Sequence, residues 1–163
     1  MNVIEEELLN ALAAFNSGVT PTIGQIGEDG EFGRLVELAQ KHGVLTYLYD
    51  YSVANTAMPE VFRASIEREA AGNVPLFTRL LFNARDITKR FEEAGIVSVV
   101  LKGAAIAAYF KEPEIRKSGD IDILLPDSDS KDRAGEILEE MGFEPEDEDN
   151  SLHHESFKKK FSQ

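Results

Sequence analysis

The sequence predicts an α+β fold, with a mostly helical N-terminal region over residues 1–75 followed by a smaller, strand-containing core over residues 76–163. Three observations predict it. Apolar residues recur at helical spacing from Val3 to the edge of Gly95. A valine-rich run, Ile96 to Leu101, then breaks that period and ends in Lys102-Gly103. Beyond a charged loop, a second apolar run carries Asp120 and Asp122.

Taken in order, residues 3–16 space Ile4, Leu8, Leu9, Leu12 and Phe15 as an amphipathic helix. Glu5 to Glu7 fall in its first turn, where the helix dipole favours negative charge. Ser17 to Gly30, rich in glycine and holding Pro21, reads as a loop. A second helix covers Glu31 to Lys41, and His42-Gly43 ends it. The lone His42 beside that glycine reads as a cap residue rather than a metal ligand or base. Val44 to Val53 reads as helix, with a strand fitting almost as well.

Pro59 suits the first turn of the next helix, whose apolar positions run through Leu76, Leu80, Ile87 and Phe91. Gly72 and Pro75 are expected to kink or divide it, and Gly95 to close it. After the acidic strand, Asp127 and Ser128 offer cap chemistry for a helix reaching Met141, and Gly142 ends it. Phe143 is a candidate strand start. Glu144 to Asp149 (EPEDED) reads as a solvated loop. The tail SLHHESFKKKFSQ reads as a further strand followed by a basic cluster.

Composition narrows the function. Apolar content of 42% supports a packed core and excludes global disorder. The absence of cysteine excludes a disulfide framework and a thiolate zinc site, and suits a reducing, cytoplasmic setting. An acidic N-terminus is the opposite of a signal peptide's, so export is not expected. No apolar run is long enough to span a bilayer. Thirty acidic against 17 basic residues give a formal net charge of −13, which disfavours extended nucleic acid and anionic membranes as partners. A small nucleotide escorted by magnesium is compatible with that charge, because the metal neutralises the phosphates locally.

The stretch IVSVVLKGAAIAAYFKEPEIRKSGDIDILL concentrates the chemistry. Period-two geometry in DIDILL puts Asp120 and Asp122 on one face, with Cα atoms roughly 6.5–7 Å apart, and turns Ile121 and Ile123 to the core. Two neighbouring carboxylates repel unless a cation lies between them. Magnesium takes oxygen ligands while keeping waters and substrate phosphates, so such a pair suits it. Gly103, at the junction of strand and helix, lets backbone approach a phosphate. The helix beyond it offers free N–H groups. Lys102, Arg116 and Lys117 add cationic contacts to a triphosphate. Singly, each element has an ordinary reading: an exposed strand face, a helix start, solvated loop charges. Their ordered combination points to a metal-and-nucleotide site.

At these residues the sequence resembles the DNA polymerase β-like nucleotidyltransferase superfamily. More closely, it resembles the bacterial uncharacterised nucleotidyltransferase family. Leu101, Lys102, Gly103, Ala104, Tyr109, Pro113, Arg116, Gly119, Asp120, Ile121 and Asp122 match that family's motif in order, and Met141 to Glu144 fit its continuation. The resemblance implies a small core of mixed strands with helices on one side. It also implies magnesium ions bridging the aspartates to an NTP such as ATP, and transfer of a nucleoside monophosphate to an unidentified acceptor, a small molecule or a protein. Carried over, Asp120 and Asp122 are the catalytic metal ligands and Gly103 with Ala104 the phosphate-binding turn. Lys102 and Arg116 are supporting nucleotide-binding positions.

The chain departs from the superfamily pattern twice. Ala104 stands where a serine is common, which removes a hydroxyl. A third carboxylate, expected on a later strand beside an apolar–His–Trp sequence, has no clear counterpart; Glu155 in HHESF is the late acid nearest a strand-like run. The expected core is therefore partial, truncated at its C-terminal side. The alternative reading is a non-catalytic nucleotide-binding or interaction module, such as a toxin–antitoxin-type partner.

Overall fold

The structure, a computed structural model, describes residues 1–22, 24, 26–117, 119–151 and 154–159. The chain divides into two compact units. One comprises Met1–Leu81 with Gly103–Asp120, the other Phe82–Lys102 with Ile121–Gln163. The fold is α+β with helices predominating.

In the first unit, α1 (Val3–Ser17) starts from a capping box, in which the Asn2 side chain accepts from the Glu5 N–H and Glu5 accepts from the Asn2 N–H. Helix α2 (Asp29–Lys41) follows, also opened by a capping box, between Glu28 and Glu31, and capped at its end by His42. Val44 to Val53 is helical rather than extended, as a 3₁₀ turn (Leu45–Leu48) running into α3 (Tyr49–Ala54). Phe32, Leu35, Ala39, Leu45, Leu48, Met58 and Ile66 form the buried centre of this unit. Positions 32, 35, 36 and 39 repeat at helical spacing, so one stripe of α2 supplies much of that core.

Helix α4 (Glu60–Glu93) is continuous over 34 residues, with Pro75 inside it. The expected division at Gly72 and Pro75 does not occur. A proline interrupts a single N–H to carbonyl bond, whereas α4 is anchored on both sides of it. Ile66 and Ala70 pack into buried clusters of the first unit, and Ile87 and Phe91 into the core of the second. Helix α4 ends before Gly95, whose φ of 77° takes the left-handed turn into the next strand.

The second unit holds β1 (Val99–Leu101) and β2 (Asp122–Leu124), paired antiparallel with Val99 opposite Leu124, Val100 opposite Ile123 and Leu101 opposite Asp122. Helix α6 (Lys131–Glu140) lies between β2 and a second ribbon in sequence; a 3₁₀ turn leads into it, and there the Asp127 carboxylate accepts from the Asp129 N–H. Ile87, Phe91, Ile96, Ala134 and Ile137 make the buried core, with Ile121, Ile123, Leu125, Leu138, Met141 and Phe143 packed against it.

The acidic run after Phe143 is a strand, not a solvated loop. β3 (Glu144–Ser151) pairs antiparallel with β4 (His154–Lys158), with an irregularity in register between Glu146 and Ser151. Backbone pairing with β4 and the cross-strand ion pair of Glu146 with Lys158, 3.3 Å, outweigh the low strand propensity of acidic residues. The strand expected in the tail is therefore present, while residues 160–163 of its basic cluster lie outside the described residues. Every strand pairing among the described residues is antiparallel, so two separate ribbons stand where the resemblance implied one mixed sheet. No helix among the described residues is long and apolar enough to cross a membrane.

Candidate functional site

The division between the units cuts the motif twice, between Lys102 and Gly103 and between Asp120 and Ile121. Lys102 and Asp122 therefore belong to one unit, and Gly103, Ala104, Arg116 and Asp120 to the other.

In the strand-containing unit, alternation along the chain decides where Asp122 points. Ile121, Ile123 and Leu125 pack against the core, which leaves Asp122 and Leu124 to the opposite face of the ribbon. Asp122 stands directly across from Leu101, the last residue of β1. Lys102 follows at once and has a φ of 47°, the one positive value outside glycine among the described residues. From that turn its Nζ lies 3.6 Å from Asp122 Oδ2, with the lysine side chain 76% and the aspartate 30% exposed. The positive φ falls on Lys102, a side chain that bears charge, and not on the glycine that follows it.

In the helical unit, Gly103 and Ala104 open α5 (Lys102–Ile106), which continues as a 3₁₀ turn to Tyr109. At five residues, α5 is shorter than the helix on which a dipole argument relies, so the turn offers its individual N–H groups and not a macrodipole. A Cβ added to Gly103 would lie 3.6 Å from the backbone oxygen of Asp120 and 4.0 Å from Arg116 Nη1, ordinary contact distances. Asp120 itself is exposed and precedes β2, so the two aspartates do not share a strand.

Arg116 is held by several groups at once. Its Nη1 donates to the Gly103 carbonyl at 3.2 Å, and its guanidinium lies 5.4 Å from the centre of the Phe110 ring. Tyr47 also bonds to it; burial raises the Tyr47 pKa, and the guanidinium partly offsets that rise. Arg116 follows a 3₁₀ turn, Pro113–Ile115, that is fixed from two directions. Ile115 is buried in a cluster with Phe15 and Ala70, and its carbonyl accepts from Asn73 Nδ2 at 2.8 Å. Sequence reading offered Arg116 to a phosphate. The structure shows its guanidinium bonded to the Gly103 carbonyl and held by Tyr47 and Phe110, positions whose spacing carries no motif. Lys117 is exposed.

Glu155 of β4 is engaged elsewhere. Its Oε1 is 3.0 Å from Lys131 Nζ, and it lines a groove of about 340 Å³ with Asp132, Gly135, Pro145 and Phe157. Among the described residues, no group of three or more Asp, Glu or His side chains converges to hold a metal. Two carboxylates are still a sufficient protein donor set for magnesium, which draws its remaining oxygens from water and phosphate. Asp122 fits that chemistry: its carboxylate is only partly buried, so it remains open to water and to an ion.

The strand ending in a lysine–glycine turn and facing an aspartate strand accords with what a family comparison finds. A family model described as uncharacterised nucleotidyltransferase matches residues 28–162. The class is thus nucleotidyltransferase, and the chain belongs to this uncharacterised nucleotidyltransferase family. No curated protein and no solved structure matches it significantly.

Proposed function

We propose that the chain acts as a magnesium-dependent nucleotidyltransferase domain, moving a nucleoside monophosphate from an NTP to an acceptor, a small molecule or a protein. Asp120 and Asp122 supply the oxygen ligands for magnesium. The N–H groups of Gly103 and Ala104 receive the phosphates, Lys102 adds a mobile positive charge, and Arg116 keeps the glycine turn in shape. Bound magnesium supplies charge neutralisation of the triphosphate and polarisation of the α-phosphoryl group. In the transfer, a nucleophilic atom of the acceptor bonds to the α-phosphorus, the bond to the β-phosphate oxygen breaks, and pyrophosphate leaves; the acceptor's proton passes to solvent. The observation that carries the reading is the register of β1 with β2, which sets Asp122 beside the Lys102 turn.

Calorimetric titration with Mg-ATP and Mg-GTP tests it, comparing wild type with Asp120→Ala/Asp122→Ala. Loss of two carboxylate ligands is expected to weaken binding by at least about tenfold, since bonds to charged groups are each worth roughly 1.5–3 kcal/mol. Equal affinity in the two proteins overturns the reading. A second reading, a nucleotide-binding or interaction module without catalysis, such as a toxin–antitoxin-type partner, is favoured by the absence of a converging third carboxylate among the described residues. Incorporation of radiolabelled AMP or UMP into any acceptor excludes it.

A further inference from the structure

Lys102 combines two features that are independent of each other. Its backbone has a φ of 47°, a conformation that costs a residue with a Cβ free energy and that glycine adopts freely. Its ammonium meets the carboxylate of Asp122 at 3.6 Å. A lysine kept in a left-handed turn, with a glycine as its very next neighbour, marks a position where the side chain is worth the strain. The strain aims that side chain at the cross-strand partner of Leu101, which is Asp122.

We propose that Lys102 is a gate for the divalent cation: its ammonium and the metal compete for the Asp122 carboxylate, so free metal binds weakly and metal arriving with a nucleotide binds well. The inference rests on the metal-and-nucleotide reading of the site and specifies how that site is regulated. An ammonium paired with a carboxylate lowers that carboxylate's attraction for a divalent ion by direct repulsion. At about 5 Å in a water-exposed setting that repulsion corresponds to roughly tenfold in affinity. A nucleotide removes the conflict, because its phosphates offer the ammonium another anion. Lys102 is 76% exposed on a flexible stem, so it exchanges partners without disturbing β1. The gate makes nucleotide and metal bind cooperatively, each favouring the other by the same factor.

Manganese, titrated by the loss of its free electron paramagnetic signal, reads this directly without any turnover. Wild type, Lys102→Gln, Lys102→Arg and Asp122→Asn are compared with and without a non-hydrolysable ATP analogue. Without nucleotide, Lys102→Gln is expected to bind manganese about tenfold more tightly than wild type, Lys102→Arg about equally, and Asp122→Asn far more weakly. With the analogue, and after subtracting the manganese that the analogue holds without protein, Lys102→Gln becomes weaker than wild type while Asp122→Asn stays the weakest. Lys102→Gly, which relaxes the turn as well as removing the charge, is expected to match Lys102→Gln in metal binding and to melt at a higher temperature. If Lys102→Gln binds manganese no better than wild type while Asp122→Asn loses it, the gate is wrong and the metal site stands. If Asp122→Asn binds as wild type does, the metal site fails and the gate with it.

Discussion

Glu7 shows how far a single residue's role depends on partners distant in the chain. The sequence groups it with Glu5 and Glu6 as a solvated acid serving the dipole, yet it lies beyond the first turn of α1 and is 3% exposed. The Tyr51 hydroxyl donates to its Oε1, as does the Gly24 N–H at 2.9 Å, and Asn55 Nδ2 donates to the Tyr51 oxygen at 3.0 Å. A Cβ on Gly24 would collide with the Glu7 carboxylate, so a larger residue there would have to displace that carboxylate from its partners. Burial, and secondarily the bond to Glu7, raise the Tyr51 pKa. A raised pKa favours the neutral phenol in the folded state. Its contribution is therefore full below about pH 10, the ordinary tyrosine value, and is lost as pH climbs toward the folded value. Tyr51→Phe is expected to cost about 1–3 kcal/mol near neutrality, by leaving Glu7 and Asn55 short of a partner. Its stability should also fall less steeply than the wild type's above about pH 10. Urea unfolding followed by circular dichroism at both pH values checks the two effects, and parallel curves at high pH would sink the second. The meeting of Lys102 with Asp122 was legible as a candidate because both residues lie within one short stretch of strand, turn and strand. Glu7 was not, since nothing between Glu7 and Tyr51 announces that they meet.

Elements were legible where local pattern and tertiary demand agree. The stripe of α2 and the alternation that turns Ile121 and Ile123 to the core both follow from periodicity, whereas Asp120, expected on one strand face with Asp122, lies before β2. Pattern failed where pairing or anchoring dominated. EPEDED became β3 because β4 supplies its hydrogen bonds, and α4 passed through Pro75 because packing holds it on either side. The start of α2 offers a test at this scale. The Glu31 carboxylate accepts from the N–H groups of Gly27, at 3.0 Å, and Glu28, at 3.2 Å, and those two bonds hold its pKa below the usual range. A lowered pKa means a contribution present above the ordinary glutamate value, about 4.3, and lost as pH falls through the folded value. Glu31→Gln should therefore lower the melting temperature at neutral pH, and the gap to wild type should close as acid protonates Glu31. A gap that is constant from neutral pH to about pH 3 would show that the charge contributes nothing to the cap.

For the molecule as a whole, charge is the dominant fact. A net −13 on 163 residues, with an isoelectric point near 4.6, works against compactness at neutral pH. Two cations relieve it differently. Sodium screens the whole surface, shortening the range of repulsion from about 30 Å at 0.01 M to about 8 Å at 0.15 M. Magnesium does the same and, on the proposed function, also binds Asp120 and Asp122, which adds stability according to its concentration relative to its dissociation constant. Raising sodium chloride from about 0.01 to 0.15 M is therefore expected to raise the melting temperature of wild type and of Asp120→Ala/Asp122→Ala alike, because the general repulsion is nearly the same in both. Magnesium chloride at matched ionic strength should raise wild type further and leave the double variant where sodium left it. Differential scanning calorimetry separates the two contributions. If the magnesium increment is the same in both proteins, the ion acts only on the acidic surface. If sodium alone does nothing, repulsion among the excess carboxylates contributes little to the stability of this fold.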